Sequence, residues 1–249
     1  MIIDKINDDI TLYNADCMEV LTTLPKSCID LIVTDAPYDI AITGGGGTVN
    51  TALKLDESLK DLTKIQDITC GYNIEALAEL VNFIQGGNIN AYFWCNKKQI
   101  PDYFDAYVKK LDCKFEILCW HKHNALPTYS NKYLSDTEYC LYFHKGIGRT
   151  FPESYNDACT FWVEPINSQD KKEYGHPTIK PIKMIDRLIR NSSKKGDVVL
   201  DCFLGSGTTG VACLERNRKF IGIEINKTYF EIAKNRITDK IKDKNQSLF

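Results

Sequence analysis

Two short segments of this chain carry residues suited to chemistry. One is VVLDCFLGSGTTGVACLERNRKFIGIEIN, in which Gly205, Gly207 and Gly210 are spaced G-x-G-x-x-G. An apolar run precedes these glycines and a helix-like run follows. At such a turn glycines let backbone approach a ligand and leave helix N-terminal amides open to it. Valine at 207 is therefore expected to fill the ligand's space. Glu224 ends the next apolar run, where a ribose-binding carboxylate is expected. The bland alternative is a tight strand–helix turn with Glu224 merely exposed. The agreement of strand, helix and acid weighs against it.

The glycine pattern alone suggests a dinucleotide. Asp201 argues otherwise, because a carboxylate inside the loop mouth repels a pyrophosphate and attracts an amine. One helix-like run follows Glu224, where a second nucleotide-binding half is expected for a dinucleotide. A nucleoside bearing an amino acid fits better, with ribose on Glu224 and ammonium near Asp201. That ligand is S-adenosylmethionine. The second segment is IDLIVTDAPYDI. Pro37 restricts Ala36 to an extended conformation, which sets the Ala36 carbonyl beside the Asp35 carboxylate. Two adjacent acceptors match the two hydrogens of one exocyclic amine, and Tyr38 offers a flat face for a planar ring. Taken alone, DAPY reads as an ordinary strand-ending turn. Beside a cofactor loop it reads as a catalytic one.

DAPY resembles the D-P-P-Y motif of the amino-methyltransferases that modify adenine or cytosine in DNA. LDCFLGSGTT resembles their F-x-G-x-G cofactor loop, through Phe203, Gly205 and Gly207, with Ser206 and Thr208 between and after. The catalytic motif comes first, as in the circularly permuted beta group of that family. The resemblance implies that Asp16 and Cys17 of YNADCMEVL meet the cofactor's adenine. It implies that HPTIKP, with His176, Thr178 and Lys180, lines the methionine end. WHKHN and EYCLYFHKG resemble the family's W-x-K and Glu-containing strand pair. The likeness covers roughly 10–38, 88–145 and 176–235. One departure is Ala36, where the family usually has Pro; the backbone carbonyl is kept, but one rigid φ angle is lost. An Asp leading the motif leans, by family analogy, to adenine N6.

Runs of β-branched and aromatic residues predict strands at 10–14, 29–34, 88–95, 115–121, 138–144, 197–203 and 219–225. Helical spacing marks 17–24, 74–85, 101–111, 181–193, 208–217 and 227–241. The alternation predicts a Rossmann-like α/β fold, a mainly parallel sheet with helices on both faces. The runs at 115–121 and 138–144 suit an antiparallel pair. The cofactor half still lacks a third strand, and ITLYN at 10–14 can supply it and deliver Asp16. One catalytic domain spans 1–249. Residues 41–72 read as an excursion after the catalytic loop, and 146–175 as a small target-recognition region.

Lys plus Arg total 31 and Asp plus Glu 33, a net charge of −2. No apolar run approaches the roughly 20 residues of a spanning helix, and the start lacks a signal-peptide pattern, so a cytoplasmic setting is expected. The ten cysteines form no C-x-x-C pair, so buried reduced thiols are expected and no metal. With so little positive charge, binding of duplex DNA needs basic pairs gathered at the catalytic mouth. Candidates are Lys97-Lys98, Lys109-Lys110, His121-Lys122-His123, Lys171-Lys172 and Lys194-Lys195. Trp94 and Trp120 suit either base stacking or core packing. Phe151, Tyr155, Phe161 and Trp162 suit either DNA contact or a minicore. Duplex DNA is the expected partner, a homodimer is an open option, and no membrane is expected. The rivals are methylation of cytosine N4, of RNA adenine or of a protein amide, a silent DNA-binding module, and an NAD-linked dehydrogenase.

Overall fold

The computed structural model describes residues 1–37, 72–125, 133–146, 150–166, 172, 174 and 179–246. Their centre is a nine-stranded sheet. Its strands are β1 (Ile2–Lys5), β2 (Ile10–Asn14), β3 (Leu31–Asp35), β4 (Asn90–Cys95), β5 (Lys114–His121), β6 (Thr137–His144), β7 (Phe161–Val163), β8 (Val198–Asp201) and β9 (Lys219–Glu224). The order is β1-β2-β9-β8-β3-β4-β6-β5-β7. The five from β2 to β4 are mutually parallel. β6 then runs antiparallel to both β4 and β5, as the sequence pattern anticipates.

Helices cover both faces because the central strands alternate two apolar sets. Leu31 and Val33 join one core with α5 (Ile182–Ser192), α6 (Thr208–Glu215) and α7 (Lys227–Gln246). Ile32 and Phe93 join the other with α1 (Cys17–Thr23) and α2 (Ile74–Ile84). The same core takes Tyr103 and Tyr107, from a short helix α3 (Ile100–Tyr103) that widens into a π-helical turn over Phe104–Lys110. The short helix α4 (Tyr155–Ala158) lies outside the cores.

The N-terminal strand completes the cofactor half. β2 pairs in parallel with β9 from Ile10 opposite Phe220 to Asn14 opposite Glu224. Asn14 Nδ2 donates to the Glu224 carbonyl at 2.8 Å and the Ala15 amide donates to the same oxygen at 3.1 Å. Segments some 210 residues apart thus form one rim. Features beyond the sequence expectations include β1, the three-residue edge strand β7, the helix Tyr155–Ala158 and the extension of α7 to Gln246. β1 and β7 are too short to show a period, and α7 lengthens on a polar surface. Among the described residues no helix is long and apolar enough to cross a membrane.

Leu12 is fully buried in the core under α7, whereas Ile3 on the edge strand is half exposed. Leu12→Ala should cost about 2–5 kcal/mol in urea unfolding. Ile3→Ala should stay within about 0.5 kcal/mol.

Candidate active site

The C-terminal ends of β8, β3 and β9 open into one cavity of about 410 Å³, a size suited to a cofactor. Gly205, at φ 53°, turns the chain so that its amide donates to Glu224 Oε2 at 2.8 Å. The Asn226 amide holds Oε1 at 2.9 Å. Glu224 is thereby fixed at the cavity wall. Asp16 caps α1 by accepting from the Met18 amide at 2.7 Å, and it lines the same cavity. Burial pushes the neighbouring Cys17 thiol up to about 12, aided by the charge of Asp16. Cys17 is therefore an uncharged wall at neutral pH, with no nucleophile's character.

Asp201 is 3% exposed. Burial raises its carboxyl to about 6, opposed by hydrogen bonds from Thr209, Thr34 and the Phe203 amide. Thr34 Oγ1 donates to Asp201 Oδ1 at 2.7 Å and accepts from the Phe203 amide at 3.2 Å. This hydroxyl ties the last turn of β3 to the cofactor loop, one residue before Asp35. Ser206 and Thr208 are clamped from α7: Arg236 Nη1 donates to the Ser206 carbonyl at 3.2 Å and to Thr208 Oγ1 at 3.1 Å. The Arg236 guanidinium lies 4.2 Å from the Tyr174 ring centre.

Gly207 adds a packing demand to the sequence expectation. Its φ is 83°, and a Cβ there meets Ala233 of α7, 3.0 Å from Cβ and 3.1 Å from Cα. A side chain would strike α7, so helix packing by itself requires glycine here. Gly210 acts alike, its absent Cβ making room for Ile237 and Phe220.

On the catalytic side, Asp35 and Ala36 end β3 at the cavity. The Pro37 carbonyl accepts from Gln99 Nε2 at 2.9 Å, which pins the start of the loop. Tyr72 faces Phe203 with ring centres 5.1 Å apart, and its hydroxyl bonds that of Tyr103. Lys180 lines the cavity, and its ammonium is directed to carboxylates. It lies 2.5 Å from Asp35 Oδ2 and 3.2 Å from Glu138 Oε2. Lys122 holds the other Glu138 oxygen at 3.0 Å.

Tyr38, His176, Thr178 and residues 41–71 of the excursion lie outside the described residues. Trp94 and Trp120 are core residues, edge to face at 6.4 Å, though Trp94 also walls the cavity. Trp162 is buried beneath the Arg187 guanidinium, while Phe151 and Phe161 are exposed and Tyr155 is 85% exposed. Lys171 lies outside the described residues, and among those described the basic pairs are spread over different elements. Lys109 pairs with Asp105, and Lys110 with Glu75 and Glu79. Lys194 and Lys195 precede β8, at the end of the sheet away from the cavity. Lys97 and Lys98 are exposed beside Gln99, at the catalytic end. Thr34, Gln99, Tyr72 and Arg236 were not singled out from sequence. Only Thr34 carries a signal, a polar residue closing an apolar run.

A glycine loop, a facing acid and a carboxylate loop thus converge on one cavity in permuted order. The sequence profile of the DNA methylase family, grouped as N6 and N4 methyltransferases, matches residues 29–235. This chain belongs to the DNA methylase family. The methylase is 28% identical to the Type II methyltransferase M2.LlaDCHI of Lactococcus lactis subsp. cremoris, over 92% of this chain and 90% of that one. It is 24% identical to M2.MboI of Moraxella bovis, over 92% and 87%. The crystal structure of the M1.HpyAVI–SAM complex superposes with a TM-score of 0.66 at 26% identity, covering 92% of this chain and 98% of that one. The cytosine-N4-specific PvuII DNA methyltransferase shares the fold, with a TM-score of 0.67 at 17% identity over 95% and 92%.

Gly207→Ala in the methylase should destabilise it by roughly 2 kcal/mol, through an unfavourable φ and contact with α7. A fall in Tm of about 4–8 °C checks this.

Proposed function

We propose that this DNA methylase transfers a methyl group from S-adenosylmethionine to the N6 amine of adenine in double-stranded DNA. The carrying observation is that Asp35 and Ala36 open on the same cavity as Asp201 and Glu224. The cavity suits this cofactor because a buried carboxylate, Asp201, lies within it, as an ammonium group requires. Glu224 would hold the ribose, Asp16 would meet the adenine ring, and the turn from Phe203 to Thr208 would enclose the amino-acid end. When bound, S-adenosylmethionine supplies a sulfonium methyl group.

The amine nitrogen of a base shares its lone pair with the ring and is a poor nucleophile. Asp35 and the Ala36 carbonyl would each accept one of its hydrogens. Together they favour a tetrahedral nitrogen and stabilise positive charge as it develops. The N–C bond forms as the S–C bond breaks, and the surplus proton leaves from the amine to solvent. The base must leave the duplex stack at a cost of a few kcal/mol. Stacking on Tyr38 would offset part of it. Exposed Phe161, opposite Cys119 near the C-terminal end of β5, and the exposed Lys97 and Lys98 support a DNA-facing surface at this end, whereas Phe151 lies under Lys194 at the opposite end. The leading Asp35 supports adenine over cytosine by family analogy. The Type II names of the relatives support a restriction–modification setting.

Asp35→Ala should lower kcat by on the order of a hundred- to a thousandfold while S-adenosylmethionine binding persists. Mass analysis of nucleosides after reaction on duplex DNA should give N6-methyladenine. N4-methylcytosine would refute the base assignment, and full activity in Asp35→Ala the mechanism. The Asp201 carboxyl, raised to about 6, loses its charge as pH falls through that value. Cofactor affinity should therefore drop between about pH 7 and pH 5. Calorimetry should find this dependence flattened in Asp201→Asn.

A further inference from the structure

Lys180 is 5% exposed and comes from the segment that leads into α5. Its ammonium passes over the Trp94 ring at 5.3 Å from the centre. Strand register explains its partners. Asp35 on β3 lies opposite Trp94 on β4, Trp94 opposite Cys140 on β6, and Glu138 two residues along β6 opposite Trp120. Residues two apart on a strand share a face, so both carboxylates look toward the helix layer from which Lys180 arrives. The result is an alternating row: Asp35, Lys180, Glu138, Lys122.

We infer that Lys180 is a positioning residue for Asp35, with Glu138 and Lys122 as its mount. The inference rests on the methyl-transfer reading above. A carboxylate at a strand end still turns about its Cβ–Cγ bond. Anchoring Oδ2 on a buried ammonium fixes the carboxylate plane, and with it the direction in which an amine hydrogen must approach. The anchor is rigid because Glu138 pulls Lys180 from the other side. Burial pulls the Lys180 ammonium down, but Asp35 and Glu138 outweigh it and hold it above its ordinary value. Burial likewise pushes Glu138 up, and Lys180 with Lys122 overcomes this to hold it at about 2. Lys180 and Glu138 thus both stay charged at neutral pH, so Lys180 is no proton donor to the reaction.

The row also governs when Asp35 carries its charge. Among the described residues, the groups facing Asp35 include Lys180, Glu138 on β6, Asp201 on β8, and the thiols Cys95 and Cys140. Both thiols are pushed up by burial and stay neutral. Loss of Lys180 removes the ammonium held against Asp35 Oδ2, and the proton affinity of Asp35 rises.

The test measures kcat against pH with tritiated S-adenosylmethionine and unmethylated chromosomal DNA, alongside cofactor binding by calorimetry. Lys180→Met should lose about 100-fold in kcat with cofactor affinity within about threefold. Its acidic limb should move up by about one to two pH units. Lys180→Arg should recover at least about tenfold of the loss. Glu138→Gln, outside the cavity lining, keeps a bond acceptor for Lys180 and removes an anion near Asp35. It should retain kcat within about tenfold and move the acidic limb down. Lys180→Met with kcat within threefold of wild type overturns the inference, as does a more than tenfold loss of its cofactor affinity. If Lys180→Met fails to fold, an upward limb in Glu138→Gln overturns it and a downward one upholds it. Wild-type protein that transfers no label to DNA would sink the methyl-transfer reading itself; an active wild type beside an unaffected Lys180→Met sinks only the role of Lys180.

Discussion

A parallel sheet that buries both faces leaves chemistry one place to happen, the end where its strands stop. In this methylase that constraint is drawn tight by a single side chain, Thr34. Its hydroxyl donates to Asp201 and accepts from the Phe203 amide. The next residue along the strand is Asp35. Catalytic strand and cofactor loop are thus held to a fixed spacing by hydrogen bonds shielded from water, where such bonds are strongest. Methyl transfer needs that spacing, because the two reactants must meet in line and near contact.

The charges at this end follow from the same constraint. Asp201 lies inside the sheet end and its carboxyl is raised to about 6, poised to gain a cationic partner. Asp35 lies one strand over and already has one, the Lys180 ammonium. Two carboxylates a strand apart therefore sit in opposite environments and suit opposite tasks. In the proposed mechanism one would take a ligand's ammonium and the other would serve as an acceptor. The N-terminal strand adds Asp16 from the far end of the chain, through the parallel pairing of β2 with β9. Circular permutation changes which peptide bonds join the elements but not where the strands end.

Much of this was legible in the residues. The run IDLIVT announces a doubly buried strand because β-branched side chains suit both faces. The need of ITLYN for a neighbour followed from a cofactor half one strand short. The charge of Asp201, with the single helix-like run after Glu224, favoured a nucleoside with an ammonium group over a dinucleotide. Other features were hidden for physical reasons. Glycine at 207 answers equally to close ligand approach and to close helix packing, and the packing demand shows only in the position of Ala233. The Lys180–Asp35 pair spans 145 residues and depends on strand register, which no local pattern encodes. Residues 161–163 form a strand too brief for any period. The basic pairs were expected to act on DNA, yet Lys109 and Lys110 neutralise neighbouring acids.

The claim on which the rest turns is that one cavity holds the methyl donor with its reactive end toward Asp35. A crystal structure of the wild-type chain grown with S-adenosylmethionine examines this directly. The account predicts the ligand's ammonium within hydrogen-bond reach of Asp201, its ribose hydroxyls on Glu224, and its methyl group directed to the side of the cavity lined by Asp35 and Ala36. A ligand bound in the reverse sense, with adenine toward Asp35 and the ammonium away from Asp201, would contradict it.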